Sequence, residues 1–306
     1  MNLYNRLNSN MRQRYGVRVQ RIPISAGFGC PNRDSELGTG GCIFCDASGS
    51  GFAAVHHSVS VKDQIDEMKK NAIRKYGDDT RFMAYFQSYT NTFASLEKLE
   101  ELYSQAVNYE GVMILDVSTR PDCVEEGVLD LLESYRDRVD VMVEFGLQSA
   151  NLKTLKAINR GHSLAEFIDA VIRTKKRGIE VVAHCIMDLP WDIEDDVIET
   201  AKILSALGVD GVKCHSLYVV EGTKLDEMIK RGEIQLGSKE EFVNRTISFL
   251  EHLDPEIVVH RLAGEPPKEG AYGNWGFTKI QIINEVENTM RKRETYQGRK
   301  FCYLKR

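Results

Sequence analysis

Apolar and β-branched runs recur along the chain at Arg18–Ser25, Phe82–Gln87, Gly111–Ser118, Val139–Gln148, Ile179–Leu189, Gly211–Val220 and Ile257–Leu262, and they predict strands. Between most of them the apolar positions return every three or four residues, at Val61–Tyr76, Leu96–Asn108, Glu125–Arg136, Leu164–Arg177, Ile193–Leu207 and Lys239–Leu253. That period predicts amphipathic helices. Gly178, Gly208 and Gly211 fall where a helix should stop and the next strand begin. Strand–helix alternation of this kind predicts an α/β chain with a parallel sheet and right-handed crossovers, open or rolled into a barrel. Glu265-Pro266-Pro267-Lys268-Glu269-Gly270 breaks the rhythm. One further amphipathic helix, Thr278–Lys292, and a basic tail follow it, so the chain divides into a core of residues 1–262 and a C-terminal extension of residues 263–306.

Composition narrows the class. With 306 residues, 42% apolar and 28% charged, the chain suits one large α/β unit and excludes collagen-like, disordered and disulfide-scaffold classes. No apolar run approaches the roughly 20 residues a membrane helix needs, and Met1–Arg6 offers no signal-peptide stretch, so a soluble cytoplasmic protein is expected. The net charge of −5 hides a pattern, because residues 1–33 and 289–306 each carry +6, which leaves −17 between them. Two basic ends on an acidic body read either as an electrostatic footprint for nucleic acid or as solvated tails.

Seven cysteines are present, and three of them cluster: Cys30 in Gly27-Phe28-Gly29-Cys30-Pro31-Asn32, and Cys42 and Cys45 in Gly40-Gly41-Cys42-Ile43-Phe44-Cys45. The spacing is C-x11-C-x2-C. Three thiolates could bind zinc with a fourth ligand from His56, His57 or a distant cysteine. They also suit a four-iron, four-sulfur (4Fe-4S) cluster with one iron left open, because soft thiolates favour iron–sulfur chemistry. Glycines let the loop wrap a bulky cofactor and point N–H groups at its sulfurs. Cys123, Cys185, Cys214 and Cys302 have no metal-ligand spacing, and buried small hydrophobe is the default for Cys185 and Cys214. No auxiliary cluster is expected.

A three-cysteine loop after the first strand, with an aromatic before the last cysteine, resembles the radical S-adenosylmethionine (SAM) superfamily. The long first gap departs from its commonest C-x3-C-x2-C spacing and resembles instead the branch with the Elongator catalytic subunit and the YhcC/YtqA group. Further matches are Phe145-Gly146-Leu147-Gln148-Ser149, Asn159-Arg160-Gly161-His162, Asp188-Leu189-Pro190, Gly211-Val212-Lys213-Cys214-His215, Glu221-Gly222-Thr223 and Tyr296-Gln297-Gly298-Arg299-Lys300. The resemblance implies a partial (β/α)6-type barrel. It implies that Cys30, Cys42 and Cys45 bind three irons of a 4Fe-4S cluster and that SAM chelates the fourth, with Phe44 near the adenine. It further implies reductive cleavage of SAM to a 5′-deoxyadenosyl radical, driven by an electron donor such as flavodoxin or ferredoxin.

Strand patterning adds an independent reading. Strands buried on both faces should be nearly continuous Val/Ile/Leu, yet polar residues fall at alternate positions near the strand ends: Asp116 and Ser118, Glu144 and Gln148, His184, Lys213 and His215. In a β/α barrel such positions build the active site, although any one of them could instead point outward or sit in an internal network. The resemblance places Gln87, Ser88 and Thr90 where the superfamily often has a Gly-Gly-Glu segment, which this chain lacks. It matches Ser118, Gln148 and Arg160 to SAM-contacting positions in the coproporphyrinogen oxidase branch; Glu144 joins this cofactor-side set. Arg160 suits the SAM carboxylate, because guanidinium pairs bidentately with carboxylate; its bland alternative is a surface salt bridge. His184, Lys213 and His215 are substrate-side candidates for proton transfer, with a satisfied core histidine as the alternative for each His.

The Elongator-like branch implies a tRNA substrate, and the YhcC/YtqA group is associated with the wobble-uridine side chain. The basic ends agree with this, with Arg12, Arg14, Arg18 and Arg21 at one end, Arg291–Arg293 and Lys300–Arg306 at the other, and Tyr296, Phe301 and Tyr303 available to stack on bases. No acetyltransferase module follows the barrel. The expected reaction is hydrogen abstraction on a 5-substituted uridine, for example conversion of 5-carboxymethylaminomethyluridine to the aminomethyl form. A small metabolite or peptide as substrate, and a non-catalytic iron–sulfur or zinc protein that binds RNA, are the alternatives.

Overall fold

The structure is a computed structural model, and the described residues are 2–34, 40–45, 59–267 and 269–302. In chain order the elements are α1 (Leu7–Tyr15), β1 (Val19–Ile24), the short turn α2 (Pro31–Asp34), α3 (Val61–Tyr76), β2 (Arg81–Phe86), α4 (Leu96–Val107) and β3 (Val112–Thr119). Then come α5 (Glu126–Ser134), β4 (Asp140–Gln148), α6 (Leu152–Ala157), α7 (Leu164–Lys176), β5 (Glu180–Ile186), α8 (Glu194–Leu207), β6 (Gly211–His215) and β7 (Tyr218–Val220). The chain closes with α9 (Lys224–Lys230), α10 (Lys239–His252), β8 (Val258–Arg261), β9 (Ala271–Gly273) and α11 (Lys279–Lys292).

Seven parallel strands form one sheet in the order β1-β2-β3-β4-β5-β6-β8. At about 4.8 Å per strand a flat sheet would hold its edges roughly 29 Å apart. Instead Arg21 on β1 donates to His260 Nδ1 on β8 at 3.2 Å. The sheet is therefore curled into a partial barrel whose edge strands meet through their inward side chains. The edge of β8 is also covered, since the Val259 N–H donates to the Asn5 carbonyl at 2.7 Å. A paired edge offers no template for aggregation.

Two layers of packing follow from the strand alternation. Outward residues such as Val117, Val143, Phe145, Val181 and Val212 join the apolar faces of the surrounding helices in the main core. Inward residues at the N-terminal ends of the strands, Met83, Ile114 and Met142, pack on Met11 of α1, flanked by Leu7 and Tyr15. These three α1 residues sit at i, i+4 and i+8 and make one helical stripe, so α1 plugs the bottom of the barrel. Ile282, Val286 and Met290 of α11 join the main core, and β9 pairs antiparallel with β7.

Most predicted elements are present with ends shifted by a residue or two. The run Gly211–Val220 divides, because Leu217 donates its N–H to Asp188 Oδ1 at 2.7 Å and Ser216 binds Asn274 Oδ1 at 2.6 Å. These side-chain bonds take the chain out of the sheet ladder.

Candidate active site

The cysteine loop is fastened from both sides. Ile43, between Cys42 and Cys45, is 3% exposed and enters a small apolar cluster with Leu155, Ile158, Leu189, Leu217 and Leu225. Its N–H donates to the Ile158 carbonyl at 3.1 Å, and its carbonyl accepts from Leu225 N–H at 2.9 Å. Upstream, the Thr90 N–H reaches back to the Gly29 carbonyl at 3.1 Å, tying the end of β2 to the loop.

The segment Asn159-Arg160-Gly161-His162 docks directly on the cysteines. Asn159 Nδ2 donates to the Gly41 carbonyl at 2.7 Å, and its own carbonyl accepts from Asn32 Nδ2 at 2.8 Å. Arg160 lies flat across β4, donating through Nη2 and Nε to the Gly146 carbonyl at 2.8 and 3.2 Å, and through Nη1 to Cys42 Sγ at 3.6 Å. Asn32 Nδ2 also faces that sulfur, at 3.7 Å. Glycine is required where Arg160 crosses the strand, because a Cβ at Gly146 would stand 2.6 Å from Nη2. Gly161 is constrained likewise: its φ is +81°, and a Cβ would meet Asn32 Oδ1 at 2.5 Å. Arg120, clamped on Asp122, donates to the Arg160 carbonyl at 2.8 Å and fixes the segment from beneath.

These elements open onto a cleft of about 700 Å³ at the C-terminal ends of the strands. It gathers Cys30, Cys42, Phe44 and Cys45 with Gln87, Ser88 and Thr90 after β2, Ser118 on β3, Gln148 at the end of β4, Arg160, His184 and His215. Twelve of the fourteen residues assigned to the cofactor or substrate side in the sequence thus line one cavity. Ser88, Tyr89 and Gln148 have positive φ (79°, 60° and 75°) and all three face the cleft. Backbone strain in non-glycine residues concentrates where structure serves a ligand. Thr90, also in the cleft wall, is fully buried and its Oγ1 has no hydrogen-bond partner.

Glu144 and Lys213 lie elsewhere, beneath the floor. Both are buried, and Lys213 Nζ binds Glu144 Oε2 directly. The same oxygen accepts from His184 Nε2 at 2.7 Å, and Arg21 stands 3.6 Å from both Glu144 and Asp116. Burial opposes the charge on Glu144, but Lys213 and His184 outweigh it and hold the carboxyl well below its ordinary range. Asp116 is pushed the other way by burial and by the Glu144 charge. A proton on Asp116 supplies the donor that its own oxygens and Glu144 Oε1 otherwise lack. Burial lowers Lys213 to about 7 and His184 to about 4, so His184 is neutral and spends its one N–H on Glu144. His215 stacks 5.3 Å from His184 and is likewise held neutral, mainly by burial.

Sequence reasoning missed several contributors. Asn32, Arg33, Tyr85, Tyr89, Arg120, Asn159, Arg261 and Lys279 all line or brace the cleft. Adjacency to Cys30 and to the end of β3 was the available signal for Asn32 and Arg120; Arg261 and Lys279 had none. The basic ends need correction. Arg14 pairs with Glu180 and Asp140, Arg18 stacks on Tyr76, and Arg21 lies inside the barrel. Residues Thr295–Lys300 are hydrogen-bonded to Leu3, Asn5, Glu251 and Asp254, at the bottom of the barrel opposite the cleft. Chain closure puts Leu3–Asn5 and Thr295–Lys300 there, away from the cleft, and of the arginines in residues 1–33 it is Arg33 that lines the cleft. Tyr303, Lys305 and Arg306, and the zinc-ligand candidates His56 and His57, lie outside the described residues. Cys185 and Cys214 are buried neighbours on adjacent strands, and burial pushes the Cys214 thiol up to about 12. Among the described residues no helix is long and apolar enough to cross a membrane.

The donor set fits the implied cofactors. All three loop cysteines are unbridged and share one cavity, Cys42 faces two N–H donors of the kind that hold cluster sulfurs, and the guanidinium of Arg160 stands beside it for a carboxylate. Residues 24–204 match the family model of the radical SAM superfamily, and residues 209–292 match the radical SAM C-terminal domain. YtqA of Bacillus subtilis (strain 168) is 34% identical over 302 residues, 98% of this chain and 94% of its own length. A tRNA uridine(34) acetyltransferase of Methanocaldococcus infernus is 33% identical over 168 residues, which span 54% of this chain and 30% of that protein. The solved structure of archaeal Methanocaldococcus infernus Elp3, lacking residues 1–46, covers 91% of this chain and 64% of that one with a TM-score of 0.68 at 18% identity, a shared fold. With the cysteine loop, the strand-end cleft and the family match coinciding, the chain belongs to the radical SAM superfamily, as an enzyme whose cofactors are a 4Fe-4S cluster and SAM.

Proposed function

We propose that this enzyme modifies the 5-substituent of the wobble uridine of tRNA, converting 5-carboxymethylaminomethyluridine to 5-aminomethyluridine. The observation that carries the substrate class is the likeness of half of the chain to a protein whose name specifies uridine 34 of tRNA. The cleft volume of about 700 Å³ falls in the range of small-molecule sites, which suits one splayed nucleoside beside SAM.

In this reading Cys30, Cys42 and Cys45 hold the cluster, and Phe44, Gln87, Ser88, Thr90, Ser118, Gln148 and Arg160 hold SAM. When bound, these cofactors supply the radical that takes a hydrogen atom and accept the electron that follows; a flavodoxin- or ferredoxin-type donor primes them. The substrate carbon between nitrogen and carboxylate loses that hydrogen atom, then one electron and one proton. Water adds to the resulting imine, releasing the primary amine and glyoxylate. In this reading His184 accepts the proton. Its Nε2–H is committed to Glu144, so Nδ1 is the free basic nitrogen. Glu144 and Lys213 are positioning residues, since they set the tautomer of His184 without reaching the cleft.

The test joins chemistry to substrate. Anaerobically reconstituted enzyme, reduced with SAM and tRNA present, should form 5′-deoxyadenosine and aminomethyluridine, and Cys30→Ala, Cys42→Ala or Cys45→Ala should abolish both. Unchanged nucleosides in tRNA from a deletion strain would sink the tRNA assignment. A second reading, a small metabolite or peptide substrate, draws on the position of the basic ends away from the cleft; salt-insensitive absence of tRNA binding would favour it.

A further inference from the structure

The wall of the cleft carries two basic side chains that form no ion pair among the described residues. Arg261, the last residue of β8, and Lys279, the first of α11, both line it. Neither forms a hydrogen bond or ion pair among the described residues. Glu265, also in the wall, favours the charged form of Lys279 but makes no ion pair with either cation. The fold has gone out of its way to bring them there. The β6–β8 pairing shifts register, so that Lys213 faces Arg261 after Val212 faces Val259. The extra residue lets consecutive His260 and Arg261 both turn into the barrel, which regular alternation forbids. His260 reaches down to Arg21, and Arg261 opens into the cleft.

Lys279 is placed against the local electrostatics. It is the first residue of a 14-residue helix whose first turn holds no acid, capped by Thr278 and Gln281. The positive end of the helix dipole disfavours a cation there and favours an anion. Burial and the guanidinium of Arg261 already make the ammonium easier to deprotonate. A guanidinium, an ammonium and a helix N-terminus converging in one cavity is a costly arrangement in isolation, and a bound anion relieves it.

We propose that Arg261 and Lys279 form the specificity site for an anionic group of the substrate, a carboxylate or a phosphate, in the wall of the cleft. This deepens the tRNA reading and rests on it for the identity of the substrate. The carboxylate of the N-carboxymethyl arm and a backbone phosphate of the nucleotide are the two sources of that anion. Guanidinium binds either bidentately.

The first measurement uses inorganic phosphate as probe, titrated calorimetrically into reconstituted holoenzyme. One saturable site is expected. Arg261→Gln and Lys279→Gln should each weaken it about tenfold to a hundredfold, as loss of a charge-assisted bond does, while Arg261→Lys retains most of the binding. Melting temperatures should stay close to wild type, because neither side chain holds other groups in place. No phosphate binding, or binding that both variants leave intact, overturns the proposal.

The second measurement compares two tRNA pools that differ only in carrying carboxymethylaminomethyl- or aminomethyluridine. If the anion is the carboxylate, wild type prefers the first pool and Arg261→Gln loses the preference. If it is a phosphate, Arg261→Gln weakens both pools alike and lowers the salt slope by about one. Unchanged affinity of both variants for both pools overturns it. Phosphate binding that the variants abolish, in a wild-type enzyme that binds neither pool, leaves the anion site standing and removes the tRNA reading.

Discussion

At the scale of single residues the site depends on what glycine omits. Gly146 has no Cβ, and the guanidinium of Arg160 fills that space, bonded to the Gly146 carbonyl and to Cys42 Sγ. Gly146→Ala should push the guanidinium off the strand, since the obstructed atom is the tip of a flexible side chain and the fold can give. The expected loss is about 1.5–3 kcal/mol of SAM binding, roughly ten- to a hundredfold, read by equilibrium binding to the reconstituted enzyme. Unaltered SAM affinity would show that Arg160 serves only the loop. For His184 the expected signature is a split. His184→Gln should still release 5′-deoxyadenosine, while formation of the modified nucleoside falls about 10²-fold or more, the contribution of a general base. The His184 pKa is lowered to about 4, so its neutral, proton-accepting form persists above that value and is lost only as pH falls through it. Protonation of His184 itself should therefore reduce turnover only below about pH 5, and a change near pH 7 would belong to Lys213, which shares Glu144 with it.

Among the elements, α1 shows how a stripe can hide in a sequence. Leu7, Met11 and Tyr15 are spaced for one helical face, but the six polar or basic residues between them read as a solvated tail. Only the barrel bottom, lined by Met83, Ile114 and Met142, gives that face something to cover. Met11→Ala should cost about 2–4 kcal/mol in urea unfolding, because the curled sheet around it cannot collapse into the space left. A change under about 0.5 kcal/mol would mean α1 is a loosely attached arm. The predicted strand Gly211–Val220 divides into β6 and β7 for the same kind of reason. Nothing local marks Ser216 and Leu217 as partners of Asn274 and Asp188, which lie 58 and 29 residues away in the chain.

For the whole molecule, burying four histidines in one fold ties stability to pH. His162 is lowered to about 3, His184 and His260 to about 4, and His215 well below its ordinary value, burial being the largest cause for each. Unfolded histidines titrate near 6.5, so each contributes stability that is full above about pH 6.5 and is lost as pH falls toward the folded value, at up to about 1.4 kcal/mol per pH unit. Asp188 opposes this trend. Burial raises it to about 7, so its contribution is full below about 4 and lost as pH rises to 7. Asp188→Asn keeps the acceptor for the Leu217 N–H and removes the titration. The variant should lose melting temperature more steeply than wild type between pH 7 and 5. Parallel slopes would mean that Asp188 is ionised in the folded protein. At this scale, too, the two termini turn out to be neighbours at the bottom of the barrel, and the basic residues that line the cleft include Arg33, Arg261 and Lys279.

What the sequence determined by itself was local and periodic. Alternation of strand and helix dictated the parallel α/β sheet, the C-x11-C-x2-C loop carried the cofactor chemistry, and polar residues at strand ends marked the cleft, because side-chain direction in a strand is set by position parity alone. What only the tertiary structure decided depended on contacts between distant segments. Glu144 and Lys213 share the inward parity of the cleft residues but lie one layer deeper, where each neutralises the other. Arg261 violates parity through a register shift that exists only when β8 pairs with β6. The charge of the two ends was visible in composition, but their meeting opposite the cleft follows from the closure of a curled sheet, a property of seven strands together and of none alone.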